Sequence, residues 1–477
     1  MLDLIRPKVQ NAPAIKLLLN IGCTYDVPTG AYMKSPNGRW VLNGGLANTT
    51  GMAGKGNMFK STILNYMIIT AMGRMLQATQ TSALTYDTEI TISNAQLQKF
   101  VDNNEDVINK DVLLDGTWQI TDKTIMWGNE FYKKLKDFIG IKVKNAEKLK
   151  VNTSLSVPGT KVAFKTMLPT FTIFDSLTEF ETQVTADVQD KVELGDSAAL
   201  TMHMQAGLLK SRMLQALPTL LANGQNFTVF SAHVGKEIAM SKGPIKLPPE
   251  KKLTTMRSGD KIMGVTDKFF FLLGNAWQTD AVKLLNNSSS DRSPMYPSDP
   301  GEKNIINVDL NIVTLKLLRS KTGPSGVTLN IIISQRDGVR RDLTEFHNCK
   351  VNGYYGLVGG NVNYHSCFLP TVKLSRTTIS TKMKNNKQLR RAINITSELQ
   401  QIMTYRKYPS SEYVISPEGL YDSLNEKGYD WDKILDSRGW HTVSEENMPD
   451  VALTTMDLLE IHVGGLDLPE YKKDTKK

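Results

Sequence analysis

An α/β fold with a mostly parallel central sheet is what this sequence predicts, preceded by a short N-terminal segment and followed by a smaller α+β C-terminal region. Three observations predict it. From about residue 45 to 335, short apolar runs rich in β-branched and aromatic residues alternate with longer stretches of helical spacing, as in βαβ units. The composition, 40% hydrophobic and 22% charged, is that of a chain able to bury a core. The length, 477 residues, exceeds one small domain.

Taken in order, residues 1–44 contain one short apolar helix candidate, Ala14 to Ile21, and then a Gly/Pro/Asn-rich connection. Residues 45–335 form the core. Its expected strands are Ala83–Tyr86, Thr170–Phe174, Phe227–Ser231, Lys268–Leu273 and Val308–Leu318. Mixed three and four spacing of apolar residues predicts a long helix from Ala199 to Leu221. The polar, Pro/Ser-rich stretch from Asn286 to Asn304 reads as a surface loop or lid. Residues 336–477 make an accessory domain. Its first part carries a basic run, Lys373 to Arg391, that is either a patch for a polyanionic partner or a solvated helix, and it turns acidic after residue 409.

Charge and cysteine use narrow the function classes. A net charge of +9 and a pI near 9.1 suit a polyanionic partner. Cys23, Cys349 and Cys367 have no ligand spacing, so they read as reduced thiols in a cytosolic compartment and not as a disulfide frame or zinc site. No run of about 18 apolar residues occurs, and the N-terminal apolar patch is too short for a signal peptide. A soluble, cytoplasmic protein without a membrane partner is expected.

The most informative segment is GKGNMFKST, residues 54–62. A phosphate-binding loop needs a Gly-containing turn whose backbone N–H groups face phosphate oxygens. It also needs a lysine for the terminal phosphates and a hydroxyl for magnesium. Gly54, Gly56, Lys60 and Ser61 meet those demands, with Lys55, Asn57, Met58, Phe59 and Thr62 completing the loop. The following ILNYMIITAMGRML reads as the helix whose N-terminus faces the anion. Phe59 stands where the general pattern asks for glycine, and a Gly-rich turn capping an amphipathic helix is the bland alternative.

Two later segments strengthen it. ALTYDTE, residues 83–89, is a short strand ending in Asp87 and Glu89, where a carboxylate can orient the attacking water. TFTIFDSLTEF, residues 170–180, is an apolar strand ending in Asp175, suited to holding magnesium through water. Either acid could instead cap a following helix. Their order and spacing after the loop point to an NTPase using ATP and Mg2+.

With these residues in hand, the chain resembles the RecA family of P-loop ATPases, in its phage UvsX branch. FKS in place of GKT or GKS, and YDTE at the end of the first expected strand, are similar to that branch. ELGDSAALTMHMQAGLLKSRML (193–214) resembles the segment after the family's first DNA-binding loop. FTVFSAHVGKEI (227–238) resembles its γ-phosphate sensor strand, with His233 at the sensor. LKLLRSKTGP (315–324) is similar to the strand bearing two cations that reach a neighbour's ATP, here Arg319 and Lys321. The likeness spans roughly residues 15–345; residues 416–440 share only a helix–turn–helix rhythm with the small terminal domain.

The resemblance implies a DNA-dependent ATPase that exchanges DNA strands from a helical filament on single-stranded DNA, in homologous recombination, repair and recombination-dependent replication. It implies self-association, with residues 1–44 as the oligomerisation segment, and both single- and double-stranded DNA as partners. A single-stranded-DNA-binding protein and a loading mediator are further expected partners, in host cytoplasm if the protein is phage-encoded. Glu89, Lys60, His233, Arg319 and Lys321 would be catalytic, with Asp87 the rival of Glu89, and Ser61 and Asp175 would hold the metal. Lys236, Lys242, Lys246, Lys251, Lys252 and Arg257, after the sensor strand, would contact DNA phosphates. The acidic stretch 184–197 fits its expected role as the other DNA loop poorly. A hexameric helicase or other DNA motor on the same core is the alternative, and a core that binds without hydrolysing is a third reading.

Overall fold

The computed structural model describes residues 15–90, 92–121, 128–178, 197–236, 253–287, 293–299, 301–302, 308–360 and 362–474. Ten strands make one sheet: β1 (Thr49–Gly54), β2 (Ala83–Asp87), β3 (Trp118–Thr121), β4 (Thr170–Asp175), β5 (Asn226–Lys236), β6 (Asp260–Ile262), β7 (Asn275–Leu284), β8 (Leu310–Ser320), β9 (Thr328–Ser334) and β10 (Gly338–Val339). Their order is β10-β9-β8-β7-β1-β5-β4-β2-β3, with β6 paired to β5 off this path. From β7 to β3 every pairing is parallel. Toward the other edge, β7–β8, β8–β9 and β9–β10 are antiparallel.

Parallel strands covered on both faces read as continuous apolar runs, and β1 and β4 are buried at every position. Alternation along β4 and β5 sends Phe171, Ile173, Phe227 and Val229 to one face, against helix α1 (Lys60–Leu76). Phe174 and Phe230 go to the other face, against α2 (Gly128–Lys144) and α3 (Ser197–Asn223). Phe131, Leu135 and Ile139 of α2 recur every four residues, which gives one buried stripe.

Two expected elements are corrected. Residues 15–22 form no helix: Leu17, Leu18, Leu19 and Ile21 are all buried, and Leu19 bridges Leu46 as an isolated antiparallel pair. A run apolar on every side lacks the three/four spacing of a half-buried helix. The helix lies just after it, at Cys23–Thr29. Lys268–Leu273 is not a strand either. A helical turn covers Asp267–Phe270, and the strand follows at β7, whose polar residues disguise it. The aromatic run suggested a strand, but it serves as packing, with Phe269, Phe270 and Leu273 in the core.

Beyond the sheet, α4 (Arg341–Val351), α5 (Lys387–Tyr405), α6 (Pro417–Glu426), α7 (Trp431–Asp436) and α8 (Thr455–Val463) gather around a second apolar core. Cys23, Val27 and Leu42 from the N-terminal segment enter that same core. Arg39 fastens the union through a buried ion pair with Asp457 at 2.6 Å. Ser416 and Asp430 cap α6 and α7, the pair behind the helix–turn–helix rhythm. Much of the basic run is structural. Arg391 is buried on the Leu453 carbonyl, Arg390 pairs with Glu105, and Arg376 holds the Pro294 carbonyl. All three cysteines are buried and unbonded to one another. No helix among the described residues is long and apolar enough to cross a membrane.

Candidate phosphate-binding site

The loop from Lys55 to Phe59 joins the buried end of β1 to the first turn of α1, so its backbone sits at the positive end of a 17-residue helix. Lys55, Gly56 and Asn57 are exposed, while Met58 and Phe59 are half-buried. Asn57 and Phe59 have φ of 56° and 57°, and such left-handed turns aim successive N–H groups into one concavity. For Phe59 this backbone is strained by about 1–2 kcal/mol, and its ring is anchored against the core beneath α1. Gly54 has a packing reason as well: a Cβ there would lie 1.8 Å from Thr279 Oγ1 of β7.

Lys60 is buried and arches back over the loop, with Nζ donating to the Lys55 carbonyl at 2.9 Å. Burial lowers its ammonium below the usual lysine range, and the Asp175 and Glu89 carboxylates offset part of that. Asp175 ends β4, two strands from the loop, and is buried. Burial raises its carboxyl above the usual range, while hydroxyl contacts from Ser231 and Ser61 work the other way. Ser61 and Asp175 therefore face each other, the oxygen pair that a hard divalent cation favours. Ser231, which holds the Asp175 carboxyl, has no signal of its own in the sequence, being one of several polar residues in an otherwise apolar strand.

Register brings the other strand ends to the same place. Gly54 pairs with His233, and Asp87 pairs with Asp175. Asp87 accepts the N–H groups of Glu89 and Ile92 at 3.1 and 2.8 Å, so its carboxylate shapes the turn. Glu89, half-exposed, is left to face the cleft, and its Oε1 lies 3.1 Å from Nε2 of His233. The His233 N–H is held in turn by Thr178 Oγ1 at 2.8 Å. Lys60, Ser61, Asp175, Glu89 and His233 thus come together from four segments far apart in sequence.

Arg319 and Lys321 do not join them. Arg319 pairs with Ala276, and Ala276 with Gly51. That is three residues, about 10 Å, short of Gly54 along the strands and two strands away. Arg319 lies over the half-exposed ring of Phe271, 5.3 Å from its centroid. Partial burial, with Lys16 and Arg319 beside it, lowers the Lys321 ammonium. Lys16, unremarked in the sequence, adds a third cation to this end of the sheet.

Of the expected DNA contacts, Lys236 and Arg257 are described and lie near the site. Lys236 pairs with Asp260, and Arg257 with Asp280 at 2.7 Å. Burial opposes the Asp260 charge, but the Lys236 and Gln278 hydrogen bonds outweigh it and hold the carboxyl below its usual range. Lys242, Lys246, Lys251 and Lys252 lie outside the described residues, as does the stretch 184–197 except its last residue. No protein-family model matches this chain, and no curated protein matches it.

Proposed function

We propose that this chain is a DNA-dependent ATPase of RecA type that assembles as a filament on single-stranded DNA and exchanges strands with a duplex. The observation that carries the reading is the gathering of Lys60, Ser61, Asp175, Glu89 and His233 around one strained loop at a helix N-terminus. The loop N–H groups and Lys60 would bind the ATP phosphates, and Ser61 with Asp175 would hold Mg2+, which offsets phosphoryl charge. Glu89 would take the proton of the attacking water. His233, one strand from the loop and bonded to Glu89, would relay phosphate occupancy to the segment after β5, where Lys236 leads.

Filament assembly is favoured by the remote cations. Arg319 and Lys321 stand away from their own loop, which supports a role on the phosphates of a neighbouring copy. A head-to-tail contact of this kind is heterologous and propagates. The test is the ATPase rate with and without single-stranded DNA at several protein concentrations. Stimulation by DNA that rises cooperatively with protein, and its abolition by Lys60→Ala, is the expected result. Hydrolysis absent under every condition would overturn the reading in favour of a binding or scaffold role.

A further inference from the structure

A strongly lopsided charge lies where no part of the candidate phosphate site is. Between residues 128 and 167 nine lysines and no arginine stand against three acids, a net +6 in a chain whose total is +9. These residues form α2, a tight turn, and the hairpin of Lys150–Ser156 with Ala163–Met167. Only Lys142 of the nine is buried.

Packing decides which way the rest face. The α2 stripe of Phe131, Leu135 and Ile139 turns inward, so Lys133, Lys136 and Lys144 are left exposed on the solvent side. In the hairpin, Val151, Leu155 and Phe164 pack on the core, and Asn152 pairs with Lys165 on the outward face. Lys148, in the turn, joins the two halves. Two of the acids are already used locally, Glu130 on Lys134 and Glu147 on Lys150, and Glu446 reaches the hairpin through Asn152. Lys133, Lys136, Lys144, Lys148, Lys161 and Lys165 have no ion-pair partner among the described residues. Phe138, Ile141 and Val143 lie exposed between them.

This surface is also remote from the phosphate loop. Lys142 of α2 donates to Leu168 and Thr170, at the start of β4, whereas Asp175 ends that strand about 16 Å away.

We propose that the outer face of α2 and the following turn and hairpin bind a second nucleic acid, through its phosphates and without regard to sequence. Unpaired lysines are mobile point charges, and they match an evenly charged backbone better than the fixed carboxylates of a protein partner, for which forked arginines are the usual choice. The exposed apolar side chains between them offer contact to sugar and base. The surface stands apart from the ATPase reading, since it needs no nucleotide.

The experiment uses the full chain with Lys133, Lys136, Lys144 and Lys148 changed together to alanine, and a second variant with all four changed to arginine. Fluorescence anisotropy with a labelled duplex is read across a salt series. The alanine variant is expected to lose at least about tenfold in duplex affinity and to shallow its salt slope by about 3.6, roughly 0.9 for each of the four lost contacts. The arginine variant should keep both, and the single-stranded-DNA-stimulated ATPase of both variants should stay within about twofold of the parent. An alanine variant with unchanged affinity and slope overturns the proposal. So does a surface that loses binding of a poly-glutamate peptide while duplex binding persists, which marks a protein partner. A parent chain that binds duplex but never hydrolyses ATP sinks the ATPase reading alone, because the loss in the variant still tests this surface.

Discussion

Glu89 and His233, 144 positions apart in sequence, meet at 3.1 Å where the ends of β2 and β5 converge on the phosphate loop. The carboxylate is therefore engaged by the residue that would report phosphate occupancy. If Glu89 takes the proton of water, Glu89→Gln removes the base and keeps the shape. Turnover should fall about 10²–10⁴-fold, while a fluorescent ATP analogue still binds. His233→Ala should leave basal turnover within about tenfold and remove stimulation by DNA. Loss of basal and stimulated rates together would make His233 part of the chemistry and not of the relay.

Gly54 has a steric reason of its own, apart from any bound phosphate. Its missing Cβ would lie 1.8 Å from Thr279 Oγ1 but 3.2 Å from Thr279 Cβ. Gly54→Ala should therefore destabilise by about 1–3 kcal/mol through overpacking. Adding Thr279→Ala should restore most of that, a coupling that a double-mutant cycle in urea measures directly. Equal destabilisation with and without Thr279→Ala would move the cause to the backbone.

The strand–loop–helix unit was legible because the phosphate-loop pattern asks for Gly54, Gly56, Lys60 and Ser61 within a few consecutive positions, a constraint written locally. The acids were legible for the same reason, each closing an apolar strand. Which acid faces the cleft was not: Asp87 and Glu89 differ only in that Asp87 turns back onto the N–H groups of Glu89 and Ile92. Strand β7 escaped notice because Gln278, Thr279 and Asp280 interrupt its apolar pattern, although Gln278 and Thr279 are buried with hydrogen bonds. The docking of Cys23, Val27 and Leu42 into the C-terminal core depends on contacts more than three hundred residues apart. No local spacing encodes a contact of that range. The lysines of α2 were readable as composition, but only the buried stripe shows which way they face.

Lys142 makes a prediction about pH. It is buried with two neutral acceptors, the Leu168 carbonyl and Thr170 Oγ1, both at 2.9 Å, and burial lowers its ammonium from 10.5 to about 7. Below pH 7 the lysine is charged both folded and unfolded, and the full penalty of burying the charge is present. Between about 7 and 10.5 the unfolded chain keeps a proton that the folded chain has released, so this group makes stability rise with pH across that window. Lys142→Met should flatten the rise and add about 1–3 kcal/mol at neutral or lower pH. Urea titrations on both sides of pH 7 check it, and a variant with unchanged pH dependence would refute the account.

The remote cations give the sharpest test of assembly. Arg319 is aligned with Gly51 through Ala276, remote from its own Lys60, so in the proposed filament each complete site would draw on two copies. Lys60→Ala spoils the loop but leaves the cations intact, and a protomer with Arg319 and Lys321 both changed to alanine does the reverse. Each variant alone should be nearly inactive. Mixed in equal amounts on single-stranded DNA, about a quarter of interfaces join an intact loop to intact cations, so activity should recover to a corresponding fraction of the parent rate. Recovery should require DNA and should rise with protein concentration, as assembly does. If the mixture stays as inactive as its components, the cations do not act across an interface. If the doubly substituted protomer alone retains the parent rate, they do not act on phosphate at all.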